Sequence, residues 1–288
     1  METSELLKKI RRLEIRTKGL TKHMFSGEYH SAFKGRGMAF SEVRDYHFGD
    51  EIRTIDWNVT ARYNEPFVKV FNEERELTIM LLIDISGSTD FGTSERTKRD
   101  LALEIAAVLA FSAIENNDKV GALFMSDKVE KYIAPEKGKK HTLLILRELM
   151  GFVPTSKGTD LSEGLKFLRN TQKKRTISFV ISDFTDEHNF IDGMRLTSKR
   201  HDTIAIRLKD EAEEILPDLG IVSLFNAELG STCWVNSSNE NVRERYAVQY
   251  QEREHQLTQA FNRSGIDNVI LKTDDDIIRP LIALFKQR

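Results

Sequence analysis

Between Leu77 and Asp84 the chain reads LTIMLLID, a nearly unbroken apolar run that ends in a carboxylate. A strand with one face in water alternates apolar and polar positions, whereas a continuous run belongs to a strand covered on both faces. Thr176 to Asp183, TISFVISD, has the same form and the same acidic ending. Around these runs the apolar period switches repeatedly between helical and extended spacing. It predicts a helix over 96–115, strands over 119–126 and 129–133, helices over 140–150 and 161–170, a strand over 176–182, a helix over 188–199 and a strand over 202–208. A short strand pair around 221–235, a long helix over 240–263, a strand over 266–271 and a closing helix over 276–286 follow. This alternation predicts an α/β domain over 77–288, a doubly wound, mostly parallel sheet with helices on both faces.

Residues 1–76 follow another pattern and are read as a small module of a helix and short strands. Leu6, Ile10 and Leu13 fall at helical spacing among Lys8, Lys9, Arg11 and Arg12, which predicts a basic amphipathic helix over 5–16. From Lys8 to Arg36 the only acids are Glu14 and Glu28. Between Tyr29 and Glu76 glycines, aromatics and charges of both signs are mixed without a long helical period. Arg44, Asp45, Asp50, Arg53, Asp56, Arg62, Glu74 and Arg75 surround Tyr46, Trp57 and Tyr63. They are read as a cross-linked polar layer on the sheet domain, with a partner-docking face as the alternative.

Composition narrows the function. Over 288 residues, 43 Lys plus Arg against 45 Asp plus Glu leave a net charge of −2, which gives no global reason to expect nucleic acid. The single cysteine, Cys233, permits neither an internal disulfide nor a cysteine-rich zinc site. No apolar stretch approaches the roughly 20 residues of a membrane span, and METSELLKKIRR lacks the apolar core of a secretion signal. The expectation is a cytoplasmic protein, with the inner face of the membrane as the alternative. Dinucleotide, P-loop, H-E-x-x-H and G-x-S-x-G motifs are absent from the sequence.

The candidate chemistry lies at the two acidic strand ends. In open parallel sheets the loops leaving the carboxyl ends of the strands form the ligand crevice. Beyond Asp84 the chain continues Ile85-Ser86-Gly87-Ser88, and Lys157-Gly158-Thr159-Asp160 precedes a helix. Asp84, Ser86, Ser88, Thr159 and Asp183 would converge on this edge as an oxygen-only cluster. Such donors suit hard divalent cations, Mg²⁺ before Mn²⁺, whereas zinc would want His or Cys.

On that D-x-S-x-S, threonine and aspartate pattern, the sequence resembles the von Willebrand factor A domain with its metal-ion-dependent adhesion site. The resemblance implies that Ser86, Ser88 and Thr159 hold the metal through their hydroxyls, that Asp84 and Asp183 act through water, and that one coordination position stays open for a partner's carboxylate. Asp160, Thr89 and Asp90 are assigned to shaping that ligand's approach. A second resemblance rests on Gly35-Arg36-Gly37-Met38-Ala39-Phe40, Val43-Arg44-Asp45-Tyr46, Gly49-Asp50, Arg53, Ile55-Asp56-Trp57, Ala61-Arg62 and Glu74-Arg75. These residues are similar to a prokaryotic family known as domain of unknown function fifty-eight. Thr89 stands where that family often has Met. The likeness implies a non-enzymatic module for assembly or activation of other proteins, with a MoxR-type AAA+ ATPase or its client as partner. Two alternatives remain from the residues. One is a metal-dependent phosphoryl-transfer hydrolase, disfavoured because Ser86 stands where a general acid is needed. The other is a membrane-surface or nucleic-acid adaptor working through the basic N-terminus.

Overall fold

The computed structural model describes residues 39–63, 65–72, 76–93, 96–186, 188–226 and 231–288. The basic segment 5–16, Gly35 to Met38, Glu74 and Arg75 lie outside them. The chain divides into two compact units, one within Phe33–Glu76 and another that takes in Leu77–Arg288. In the smaller unit β1 (Ala39–Asp45) pairs antiparallel with β2 (Phe67–Asn72), and α1 (Trp57–Tyr63) lies between them in sequence. Asp56 accepts from the amides of Asn58 and Val59 and so starts α1, and Arg44 grips both oxygens of Asp50 at 2.7 and 2.8 Å. Trp57 and Tyr63, expected at the centre of a polar layer, are instead well exposed.

The larger unit is built on a six-stranded sheet. Its members are β3 (Thr78–Asp84), β4 (Lys119–Met125), β5 (Val129–Glu136), β6 (Ile177–Ser182), β7 (Asp202–Lys209) and, after a separate hairpin of β8 (Ile221–Asn226) and β9 (Ser231–Asn236), β10 (Asp267–Lys272). The order is β10-β7-β6-β3-β4-β5, and every pairing is parallel except β4 with β5. The expected fold class is the one observed. The strand expected over 129–133 runs on to Glu136 along the sheet edge, where Pro135, which has no N–H to donate, is tolerated.

Among the described residues seven helices complete this unit: α2 (Lys98–Glu115), α3 (Lys139–Gly151), α4 (Leu161–Thr171), α5 (Phe190–Ser198), the single turn α6 (Glu211–Glu214), α7 (Glu240–Arg263) and α8 (Ile278–Lys286). Successive strand residues face opposite sides of a sheet, so the apolar run of β3 serves two cores. Met80 and Leu82 pack with Leu161, Leu165, Phe190, Met194, Leu257 and Phe261 from α4, α5 and α7. The alternate residues Ile79, Leu81 and Ile83 are also fully buried, and α2, α3 and α8 pack on the sheet as well, Phe285 of α8 meeting Phe179 of β6 edge-on at 6.3 Å. Of these helices, α2 is buried around most of its circumference, as its run of alanines and leucines requires. It starts at a capping box in which the Asp100 amide donates to Thr97 Oγ1 at 3.1 Å and the Thr97 amide donates to Asp100 Oδ2 at 3.3 Å.

The strand order fixes where a ligand crevice forms. From β3 the chain moves outward to β4 and β5, then crosses back to β6 on the other side of β3. Connections leaving β3 and β6 therefore diverge, and the gap lies at the carboxyl ends of these two neighbours. Asp84 closes β3 and Asp183 follows β6 directly.

Candidate metal centre

Both aspartates are almost fully enclosed. The Ser86 amide donates to Asp84 Oδ1 at 2.9 Å, and the Ser182 hydroxyl donates to Asp84 Oδ2 at 2.6 Å. These bonds aim the carboxylate and hold the turn that follows it. That turn is a short 3₁₀ segment over Gly87–Asp90, with Ser86 as its N-cap. It brings the Ser86 and Ser88 hydroxyl oxygens to 3.1 Å from each other, so two of the expected donors sit side by side. Thr89 is fully buried and its hydroxyl donates to Ser86 O at 2.8 Å, so it acts inside the turn, while Asp90 is exposed with Arg99 at 3.4 Å.

The loop carrying Thr159 is stitched to the same edge. The Gly87 amide donates to Lys157 O and the Asp160 amide to Ser126 O, both at 2.9 Å. Thr159 is buried there. Asp160 is the N-cap of α4 and accepts from the Ser162 amide at 2.9 Å. Asp186 and His188 lie beside it, with one potential ligand atom from each of the three within 4.8 Å of the others. Their hydrogen bonds already account for the arrangement: Asp186 accepts from the amides of Leu161 and His188 and pairs with the His188 ring at 2.7 Å.

Sequence reasoning missed a buried cation. Lys98, the first residue of α2, has no exposed side-chain surface, and its Nζ donates to Asp183 Oδ2 at 2.6 Å and to Glu213 Oε1 at 2.7 Å. A lysine in the first turn of a helix opposes the helix dipole, and that was the available signal that it answers to carboxylates elsewhere. Asp183 Oδ1 in turn accepts from the Thr185 amide and hydroxyl at 3.2 and 2.8 Å.

Protonation follows from this layout. Burial, followed by the charge of Asp183, pushes Asp84 up to about 7 against the pull of its hydrogen bonds from Ser182 and Ser86. Burial also raises Asp183, but the Lys98 ammonium and the two hydrogen bonds from Thr185 together outweigh it and hold that carboxyl below the usual range. For Lys98 burial works downward, and Asp183 and Glu213 together more than reverse it. Asp183 and Glu213 thus share one ammonium beside the enclosed Asp84, so carboxyl groups outnumber cations here. An oxygen-only donor set with more acids than cations fits a hard divalent cation.

An open crevice of about 140 Å³ adjoins Asp183, lined also by Thr185, Glu213, Tyr246, Tyr250 and Arg253. Its far wall is α7, tied to the sheet by Glu254, which accepts from both Arg207 and Lys209.

Comparison with known proteins places these features in context. The profile of a family described as protein of unknown function DUF58 matches residues 42–256. Uncharacterized protein Rv1480 of Mycobacterium tuberculosis is 29% identical over 290 residues, spanning 100% of this chain and 91% of that protein. Among solved structures, BatB of Bacteroides thetaiotaomicron aligns with a TM-score of 0.48 at 12% identity, over 73% of this chain and 98% of that one. The SpRpn10 VWA domain aligns with a TM-score of 0.40 at 14% identity, over 74% of this chain and 96% of the other.

Proposed function

The chain belongs to the DUF58 family, and from that membership and the geometry of its sheet edge we propose that it is a non-enzymatic, metal-dependent protein-binding module. One observation carries the reading: two buried aspartates end neighbouring strands at the topological switch, beside a turn that sets the Ser86 and Ser88 hydroxyls 3.1 Å apart. Ser86, Ser88 and Thr159 would hold Mg²⁺ through neutral oxygens, and Asp84 and Asp183 would act behind them through water. A bound Mg²⁺ supplies a Lewis-acidic centre with a position open to an incoming carboxylate, and neutral ligands leave that acidity little diminished. Ser182 and the Ser86 amide keep Asp84 oriented, and Asp90 stands exposed at the end of the turn, where a partner's acidic residue would arrive. By family likeness the partner is a MoxR-type AAA+ ATPase or its client, and the work is assembly or activation of other proteins.

Titration calorimetry with MgCl₂ tests this directly. Wild type should take up one equivalent, and Asp84→Asn and Ser86→Ala should each weaken uptake at least about tenfold, the scale on which such supporting ligands act. Absence of Mg²⁺ uptake by the folded wild type would overturn the reading. Mg²⁺-dependent capture of a partner, lost in EDTA and in Asp84→Asn, is the expected functional counterpart.

A further inference from the structure

Lys98 has no exposed surface, yet it reaches across from α2 to the strand end where Asp183 belongs to the candidate metal centre. Its other partner, Glu213 on the short helix α6, lies outside that centre and is partly exposed. The ring of Phe91 lies 5.9 Å from the ammonium and supports it from the turn side. A buried ion pair adds little net stability compared with apolar packing, so a lysine kept here invites a reason other than rigidity.

We infer that Lys98 is a resident competitor for the metal, an ammonium that neutralises Asp183 while the centre is empty and limits how tightly a divalent cation binds when it arrives. The inference rests on the proposed metal function and adds its regulation. Lys98 alone faces both Asp183 and Glu213, so their charge exceeds that of the ammonium, and an arriving divalent cation competes with it for Asp183. Removing the ammonium leaves Asp183 and Glu213 unneutralised beside the cation, and removing Glu213 leaves the ammonium against Asp183 alone. The two changes must therefore move affinity in opposite directions, because like and unlike charges a few ångströms apart in a poorly solvated site act strongly on each other. A lysine with a purely structural part would leave affinity unmoved in both.

The experiment is calorimetric titration of the full chain with MgCl₂, together with thermal unfolding in Mg²⁺ and in EDTA. Lys98→Met should bind Mg²⁺ roughly tenfold more tightly than wild type or better, and should melt lower than wild type in EDTA with recovery on adding Mg²⁺. Glu213→Gln, which removes a partly exposed acid and leaves the Lys98–Asp183 pair intact, should bind Mg²⁺ several-fold more weakly, on the same electrostatic scale. If Lys98→Met fails to fold, Glu213→Gln alone decides. Mg²⁺ uptake by wild type with unchanged affinity in the folded variants would overturn the inference and leave the metal function standing. No uptake by wild type would overturn both.

Discussion

His201 shows how a single side chain can set the acid limit of the molecule. It is fully buried just before β7, where Thr176 reaches Nδ1 with its amide at 3.3 Å and its hydroxyl at 3.0 Å. Because the amide can only donate, Nδ1 accepts and the neutral ring carries its proton on Nε2. Burial, then the charges of Arg200, Arg169 and Arg175, lowers its pKa to about 4. The folded state therefore resists a proton that the unfolded chain accepts near the ordinary histidine value of about 6.5. Stability should fall as pH drops from about 6.5 towards 4, by roughly 2 kcal/mol after allowance for solvent near the arginines. Urea unfolding at pH 7 and pH 4.5 should show this loss, and His201→Gln should make it smaller; equal pH dependence in the two proteins would count against the account. Lys98 is the matching case at the candidate metal centre, a charge whose partners lie 85 and 115 residues away in sequence. Distances of that kind leave no mark in local spacing, and only the lysine's place at a helix start hinted at them.

At the scale of elements the sequence was most informative where apolar runs were long. LTIMLLID and TISFVISD became the neighbouring strands β3 and β6, and the D-x-S-x-S turn formed beside them, because a run covered on both faces admits few other placements. Polar elements were less legible. Two bases in β7, Arg207 and Lys209, are enclosed because Glu254 on α7 meets them, a pairing that strand periodicity does not express. Gly121 is another case. The β4–β5 register shifts between Val120 and Ala122, and a Cβ at Gly121 would stand 2.8 Å from Ile133 O and 2.9 Å from the Pro135 nitrogen. Two backbones pass too closely there for any side chain. Gly121→Ala should thus destabilise the domain by about 2 kcal/mol, the usual scale of overpacking, as read from the urea midpoint with an unchanged slope. A midpoint equal to wild type would show that the edge strand yields freely.

For the whole molecule, the proposed metal centre predicts a link between ionic conditions and stability. A cation that binds only the folded chain at ten times its dissociation constant adds about 1.4 kcal/mol. In a domain the size of Leu77–Arg288 that corresponds to a rise of roughly 3–5 °C in melting temperature. Circular dichroism melts in MgCl₂ and in EDTA should show this shift in wild type and none in Asp84→Asn. The same melts would reveal whether the unit within Phe33–Glu76 unfolds separately. Its composition did not foretell that Phe48, Ile52, Trp57 and Tyr63 would all stand exposed, since aromatic residues among paired charges read equally as a packed layer.

The long helix α7 has a dynamic consequence. Only Leu257 and Phe261, near its end, are buried, and the turns before them are held by polar contacts, Tyr246 to Glu213 O, Arg253 to Phe184 O and Glu254 to β7. From Glu240 to Leu257 that is ~26 Å of helix whose release exposes little apolar core. Such a segment opens at a fraction of the global unfolding free energy. Its amides should trade hydrogen for deuterium well before those of β3 and β6, so the wall of the crevice beside Asp183 breathes while the strand ends that carry the aspartates keep still.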